Sequence, residues 1–251
     1  MKKKVIVSNW KMNPMPNEAL SLIKNIITSL ENEACDIVLC VPFLYIWSFI
    51  KKTLNTNVVI GAQNCWFESE GAFTGEISAK MLSDIGINWV IIGHSERRFH
   101  FKETNEIINK KIFAAVENKI NVVLCVGETL EEKDSFINFE VISIQTKLAL
   151  SGIEEKYLPM ISIAYEPVWA IGNKKAQDAF LVNEICFKIR LIIKKLYNEN
   201  ASNIIKILYG GSVNSSNSNL FLLQPQINGL LVGNASLKLS EFLKIIKNCK
   251  F

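Results

Sequence analysis

One carboxylate in this sequence stands where a general base is expected. Glu166 follows the apolar run 161–165 and directly precedes Pro167. Proline disfavours helix at the residue before it, so Glu166 should end a strand. The mostly apolar segment 168–171 leads on to Gly172, and such a segment can close over a ligand and exclude water. A carboxylate beside a closing lid suits general-base catalysis.

Other polar residues stand at the ends of other apolar runs. Asn9 and Lys11 end the first run, and His94 and Glu96 follow the fourth. The start of a helix disfavours imidazolium, so a neutral His94 at such a position can exchange a proton with a substrate oxygen. Lys11 would supply a fixed positive charge beside an anionic intermediate. The other histidine, His100, is expected on the surface or in a helix.

Small residues end the last two apolar runs. The seventh run ends in Gly210, Gly211 and Ser212. The eighth ends in Gly233 and Asn234. Backbone N–H groups at such turns can approach an anion closely, and α/β barrels commonly bind phosphate after strands seven and eight. These two turns are therefore predicted to bind a phosphate group.

Eight short β-branched runs are spread along the chain, at 5–10, 36–42, 57–64, 89–95, 121–128, 160–166, 204–212 and 229–236. Most are separated by stretches with helical spacing, for example Leu20, Ile23, Ile26, Ile27 and Leu30. This alternation predicts a parallel sheet covered by helices. Eight such units in about 250 residues favour an α/β fold, a closed (β/α)8 barrel that forms one domain over residues 1–251. Periodicity leaves an open doubly wound sheet as the alternative, although no glycine-rich dinucleotide turn follows the first run.

The composition limits the classes of partner. The net charge is +4 and the only arginines are Arg97, Arg98 and Arg190, so nucleic-acid binding is not expected. No apolar run approaches the ~18 residues of a membrane helix, and the apolar run after 2–4 is too short for a signal peptide. The six cysteines form no Cys-x-x-Cys pair. We therefore expect free thiols in a reducing, cytoplasmic setting.

Five blocks of the sequence resemble the triosephosphate isomerase family, in the order in which that family has them. They are residues 9–13, 72–76, 94–98, 164–172 and 209–213. Shorter segments at 61–64, 124–128 and 231–233 also match. The resemblance therefore covers nearly the whole chain.

The resemblance implies an isomerase of glycolysis and gluconeogenesis that interconverts dihydroxyacetone phosphate and D-glyceraldehyde 3-phosphate through an enediolate. It implies Glu166 as the base and neutral His94 as the electrophile. Asn9 and Lys11 would stabilise the negative charge, with Glu96 paired to Lys11. The phosphate would meet the N–H groups of Gly172, Ser212, Gly233 and Asn234. No metal or cofactor is implied.

The resemblance also implies a homodimer. The loop 65–78 would reach into a second subunit and place Thr74 near that subunit's Asn9 and Lys11. Some positions depart from the usual family pattern. We expect these departures to affect loop closure or phosphate contact more than the assignment of the chain to the family. They are Pro14, Asn173, Lys174, Gln177 and Asn234.

Two other functions stay open at this point. One is a barrel lyase or synthase that acts on a larger phosphorylated substrate, which the fold alone does not exclude. The other is a non-catalytic barrel retained for binding or assembly. The short lid at 168–171 suits a three-carbon ligand better than a bulky one. A scaffold, in turn, has no physical need for Glu166, His94 and Lys11 together.

Overall fold

Eight parallel strands close into a barrel in the computed structural model, which describes residues 3–30, 33–170 and 177–249. The strands follow one another around the barrel in chain order. They are β1 Val5–Asn9, β2 Asp36–Val41, β3 Val58–Ala62, β4 Trp89–Ile92, β5 Asn121–Val126, β6 Ile161–Tyr165, β7 Lys206–Tyr209 and β8 Gly229–Val232. The predicted (β/α)8 barrel is confirmed.

Helices connect the strands and cover the outside of the barrel. The α-helices are α1 Pro16–Ser29, α2 Phe43–Thr53, α3 Ala79–Asp84, α4 Ser95–His100, α5 Asn105–Glu117, α6 Leu130–Asp134, α7 Asn138–Ala149, α8 Ala179–Leu196, α9 Glu199–Ile204, α10 Ser218–Leu222 and α11 Leu239–Lys247. Short 3-10 helices span Glu155–Met160, Val168–Ala170 and Asn234–Leu237. Within the described ranges, no helix is both long enough and apolar enough to cross a membrane.

Closure of the barrel joins the first strand to the last. Val5 pairs with Asp36 on one side and with Gly229 on the other. A Cβ at Gly229 would lie 1.9 Å from the carbonyl oxygen of Val5, so only glycine permits this approach. Ser8 pairs with Val232, which brings the carboxyl ends of β1 and β8 side by side.

Side chains of the strands alternate between two apolar layers, because a strand has a side-chain period of two. Val5 and Val7 belong to a small buried cluster inside the barrel, whereas Ile6 belongs to the larger cluster that the strands share with the helices. Ala164 of β6 also lies in the inner cluster. Asn9 and Glu166 continue these inward series by one step of two residues. Their side chains therefore reach the open end of the barrel.

The strands end earlier than the sequence predicted. β4 ends at Ile92, earlier than the run 89–95, and Ser95 begins α4, in agreement with the helix start expected next to His94. β8 ends at Val232, and Ser236 lies in a 3-10 helix. The apolar content of the runs predicts longer strands, but the polar residues at the carboxyl ends of the runs are not part of the paired strands.

The buried face of α1 also differs from the predicted one. It consists of Ala19, Leu22, Ile23 and Ile26, a set with helical spacing. Leu20 lies one residue from this stripe, hence about 100° around the helix, and is 44% exposed.

A buried ion pair links α5 to the end of β3. The Lys111 ammonium group donates to Glu103 Oε1 at 2.5 Å and to Asn64 Oδ1 at 2.8 Å, and the lysine is fully buried. Arg97 Nε donates to the same Glu103 oxygen at 2.5 Å. Removing Glu103 would leave the buried Lys111 charge without this carboxylate, whereas removing Lys111 leaves Glu103 bonded to Arg97.

We expect Lys111→Met to lower the free energy of unfolding by about 1–3 kcal/mol, because Glu103 would lose a buried cationic partner and Asn64 Oδ1 its buried donor. Urea denaturation followed by circular dichroism measures this change. Lys24→Met, at an exposed lysine of α1, is the matched control and should stay within about 0.5 kcal/mol of the wild type. Equal losses in the two variants would contradict the assigned role of the buried pair.

Candidate active site

A cavity of ≈ 520 Å³ opens at the carboxyl ends of the strands. Its lining includes most of the site residues predicted from sequence, namely Asn9, Lys11, His94, Glu166, Gly210, Gly211, Ser212, Gly233 and Asn234. Glu96 is not part of the lining but contacts Lys11, and Gly172 lies outside the described residues. In the part of the chain that the structure describes, no group of three or more His, Cys, Asp or Glu could hold a metal ion.

Glu166 is buried at the end of β6, with 2% of its surface exposed. Its backbone N–H donates to the carbonyl of Val126 at 2.8 Å. Oε1 lies 3.3 Å from His94 Nε2, whereas Oε2 accepts no hydrogen bond from the described residues. A Cβ at Gly210 would lie 2.8 Å from Glu166 Cγ, so this glycine makes room for the side chain. The carboxylate is thus fixed by its backbone and keeps one oxygen available to accept a proton.

His94 caps the N-terminus of α4 with its ring. Nδ1 accepts a hydrogen bond from the backbone N–H of Glu96 at 3.2 Å. A ring nitrogen that accepts carries no proton, so this geometry assigns a neutral ring with its proton on Nε2. Nε2 is the nitrogen that faces Glu166. The other histidine, His100, is exposed at the end of α4, as predicted.

Lys11 is held at both its backbone and its ammonium group. Its φ of 53° lies in the left-handed region, and its N–H donates to Asn9 Oδ1 at 3.0 Å. Gln63 Nε2 donates to its carbonyl at 2.9 Å. Nζ donates to Glu96 Oε1 at 2.6 Å. A Cβ at Gly233 would lie 3.8 Å from Lys11 Cε, so the cation stands next to the turn after β8.

The turn after β7 requires glycine at one position. A Cβ at Gly211 would lie 2.3 Å from the hydroxyl oxygen of Tyr209. Burial raises the pKa of Tyr209 to about 12, so this hydroxyl stays protonated. The carbonyl of Ser212 accepts from Asn217 Nδ2 at 2.9 Å, which fixes the turn that lines the cavity.

The turn after β8 is fixed by a serine. The carbonyl of Gly233 accepts from the Ser236 backbone N–H at 2.8 Å and from the Ser236 hydroxyl at 2.7 Å. The 3-10 helix that begins at Asn234 follows directly. Small residues at this turn and at the turn after β7 leave space for an anion between them.

Sequence analysis assigned no role to Glu128, which lies just beyond β5. It is 1% exposed, and its Oε1 accepts from Trp169 Nε1 at 2.9 Å and from the Tyr165 hydroxyl at 3.1 Å. Burial raises the pKa of Glu128, although these two hydrogen bonds oppose the shift. Trp169, in the 3-10 helix Val168–Ala170, is thereby attached to the end of β5. A carboxylate directly after an apolar run was the available signal, and it is the same signal that identified Glu166.

Lys238 and Glu241 also line the cavity and were not predicted. Both lie beyond the 3-10 helix that follows β8, where the chain returns to the rim. No periodicity or strand-end position in the sequence marks them.

Comparison with known proteins identifies the family. The family model described as Triosephosphate isomerase matches residues 4–249. The chain belongs to the triosephosphate isomerase family. A relative named triosephosphate isomerase from Clostridium tetani is 42% identical over 246 residues, which cover 98% of this chain and 96% of the relative. The predicted resemblance is confirmed, and the chain is an isomerase.

Two other relatives named triosephosphate isomerase are equally similar. The protein from Carboxydothermus hydrogenoformans is 44% identical over 248 residues, and the one from Alkaliphilus metalliredigens is 44% identical over 247 residues. In both cases the match covers 98% of this chain and 99% of the relative. The similarity to triosephosphate isomerases therefore extends over the cavity as well as the barrel.

We expect Glu128→Gln to gain stability relative to the wild type as the pH rises. Burial raises the pKa of this carboxyl above its ordinary value of 4.5, so the folded protein binds the proton more tightly than the unfolded chain. The stability linked to the protonated form is present at low pH and is lost as the pH rises from 4.5 through the raised value. Glutamine does not titrate, and its side-chain oxygen still accepts hydrogen bonds.

Unfolding free energies from denaturant titrations between about pH 4 and pH 8 measure this difference. Glu117→Gln, at an exposed glutamate that ends α5, serves as the control and should show no such trend. A pH-independent difference between Glu128→Gln and the wild type would show that the raised pKa is wrong.

Proposed function

We propose that the chain interconverts dihydroxyacetone phosphate and D-glyceraldehyde 3-phosphate through an enediolate. The observation that carries this proposal is the meeting of Glu166, His94 and Lys11 in one cavity that also contains two small-residue turns. The relatives named triosephosphate isomerase support the choice of substrate. A base, a proton-bearing ring and a cation are the groups needed to move a proton between neighbouring carbons.

In this proposal Glu166 removes a proton from one carbon and returns it to the next. Burial favours the role, and Oε2 accepts no hydrogen bond from the described residues that would have to be broken before the proton is accepted. His94 donates its Nε2 proton to the carbonyl oxygen and recovers a proton from the neighbouring hydroxyl. The bond from the Glu96 N–H to Nδ1 holds the ring in the required tautomer.

Lys11 and Asn9 stabilise the negative charge of the enediolate. A fixed ammonium group lowers the barrier most when it is already in place before the reaction. The ion pair with Glu96 and the hydrogen bond to Asn9 support such preorganisation. Glu96 thus acts through Lys11 and is a positioning residue.

The substrate phosphate would lie between the turns after β7 and β8. We assign its contacts to the N–H groups of Ser212, Gly233 and Asn234, together with Gly172, which lies outside the described residues. Asparagine tolerates left-handed backbone and keeps its donor, so Asn234 is compatible with this role.

The segment 168–171 would act as the lid that excludes water and suppresses loss of phosphate from the enediolate. Its first part, the 3-10 helix Val168–Ala170, is attached to the end of β5 through Val168 N–H, which donates to the Glu128 carbonyl at 3.0 Å. Lys174, at the second hinge of the loop, lies outside the described residues.

The first test is the isomerisation of D-glyceraldehyde 3-phosphate by the purified protein in a coupled dehydrogenase assay. We expect rapid turnover by the wild type and a fall in kcat of about 10²- to 10⁴-fold in Glu166→Gln, because the variant lacks the base. Glu117→Gln, far along the chain at an exposed site, should keep the wild-type rate.

Absence of turnover in the wild type would reject the proposed reaction. A Glu166→Gln variant as active as Glu117→Gln would reject the assignment of the base and leave the reaction in place. Circular dichroism of the variants separates loss of chemistry from loss of fold.

We propose that two copies of the chain form a homodimer through the loop 65–78. Trp66 and Ser78 pair at the base of this loop, which leaves Thr74 exposed at its tip. Phe73 of this loop is 40% exposed, and other exposed large apolar side chains of the chain include Met12 at 92% and Trp47 at 60%. Exposed apolar surface of this kind favours association.

We expect sedimentation to give a dimer at assay concentration. Thr74→Arg should raise the dimer dissociation constant at least about tenfold, because the bulky charge would enter the partner's site. Activity should fall together with the dimer fraction. Thr28→Arg, at an exposed threonine of α1, should change neither. A fully active monomer at assay concentration would contradict the dimer.

We place this isomerase in glycolysis and gluconeogenesis, in the cytoplasm, as one domain over residues 1–251. The free, buried state of the six cysteines is compatible with a reducing compartment. The eight strands drawn from the whole length of the chain support one barrel domain.

A further inference from the structure

The end of β5 loses its β4 neighbour before it reaches the active site. The pairing of β4 with β5 stops at Ile92 and Leu124. Two residues later, the Val126 carbonyl accepts from the Glu166 N–H on the β6 side. The backbone N–H and C=O groups of successive strand residues point to opposite sides of the strand. Those of Gly127 therefore point to the β4 side, beyond the last residue of β4. The backbone groups on this side of β5 therefore need hydrogen-bond partners other than β4.

Side chains take the place of the missing strand. Gln145 of α7 bonds to both backbone groups of Gly127, as its Oε1 accepts from the N–H at 2.8 Å and its Nε2 donates to the C=O at 3.1 Å. Arg98 Nη2 donates to the Cys125 carbonyl at 3.0 Å on the same edge. An amide side chain carries a donor and an acceptor in one plane at any pH, so Gln145 alone bonds to both the N–H and the C=O of Gly127.

Gly127 is packed directly against the backbone of Glu166. A Cβ at Gly127 would lie 1.8 Å from the Glu166 carbonyl oxygen and 2.6 Å from its carbonyl carbon. The residues on either side bond to the same segment, because the carbonyls of Val126 and Glu128 accept from the N–H groups of Glu166 and Val168 at 2.8 and 3.0 Å. A displaced Gly127 would therefore move Glu166 and the start of the lid.

We propose that Gln145 is a positioning residue for catalysis, which sets the location of Glu166 through the Gly127 peptide groups. This inference rests on the proposed function, in which Glu166 is the base. Gln145 is not among the residues that line the cavity, so it does not bind substrate. Its loss should therefore lower kcat more than it changes KM.

Gln145→Met keeps the length of the side chain and removes both hydrogen bonds. We expect kcat to fall by about 10- to 100-fold with KM within about 3-fold of the wild type, because displacement of a reacting group by about 1 Å costs up to about 10²-fold. Gln224→Met, at a glutamine whose amide donates to the Leu220 carbonyl in an exposed hydrogen bond, is the matched control and should keep the wild-type kcat.

The pH dependence of kcat in Gln145→Glu distinguishes a positioning role in catalysis from a purely structural role. An ionised carboxylate accepts from the Gly127 N–H but cannot donate to the Gly127 C=O, whereas a protonated carboxyl can do both. The kcat of Gln145→Glu relative to wild type should therefore rise as the pH falls from about 8 to about 5. Ionisable groups beside Gly127, namely Arg98, Cys125, Glu128 and Glu166, occur in both proteins, so the pH dependence of the ratio comes from the carboxyl introduced at position 145 and its interaction with these groups.

The wild type and Glu166→Gln are measured in the same assay, so the two proposals can fail separately. No turnover by the wild type would overturn the proposed function and this inference with it. An active wild type with a wild-type kcat in Gln145→Met would overturn this inference alone. If Gln145→Met does not fold, the kcat ratio of Gln145→Glu decides, and a ratio independent of pH would overturn the inference.

Discussion

Closure of the parallel sheet is the constraint on which the site depends. Because β1 pairs with β8 as well as β2, all carboxyl ends of the strands lie on one rim. Gly229 permits this closure, since a larger residue would collide with Val5. The closed register brings Lys11, from the start of the chain, next to Gly233, from its end. Lys11 and the turn after β8 therefore line one cavity only when the barrel is closed.

Two buried carboxylates at neighbouring strand ends have different surroundings. Oε1 of Glu128 accepts hydrogen bonds from the Tyr165 hydroxyl and from Trp169 Nε1, whereas Oε1 of Glu166 lies 3.3 Å from His94 Nε2. Oε2 of each carboxyl accepts no hydrogen bond from the described residues. Buried polar atoms are normally paired, so both of these oxygens are costly to keep. Glu166 lines the cavity and Glu128 does not, so the two carboxyls differ in their access to the cavity and in the partner of Oε1.

The outer helices do more than cover the apolar faces of the strands. The start of α4 places the His94 ring, and Arg98 of the same helix bonds to the β5 edge. Gln145 of α7 completes that edge at Gly127. At the rim, where β4 has already ended, side chains from helices supply the hydrogen bonds that a strand supplies lower in the barrel. The precision of the rim thus depends on helix packing.

The sequence by itself determined the class of fold and most of the cavity lining, because apolar periodicity reports each segment's preferred structure and polar strand ends mark one rim. Glu166, His94 and Lys11 were identifiable for this reason. Only the tertiary structure decided where each strand ends, which groups each buried carboxyl contacts, and that Gln145 bonds to Gly127. Periodicity describes neighbours along the chain, whereas these hydrogen bonds form only when α7 and the 3-10 helix Val168–Ala170 pack against the end of β5.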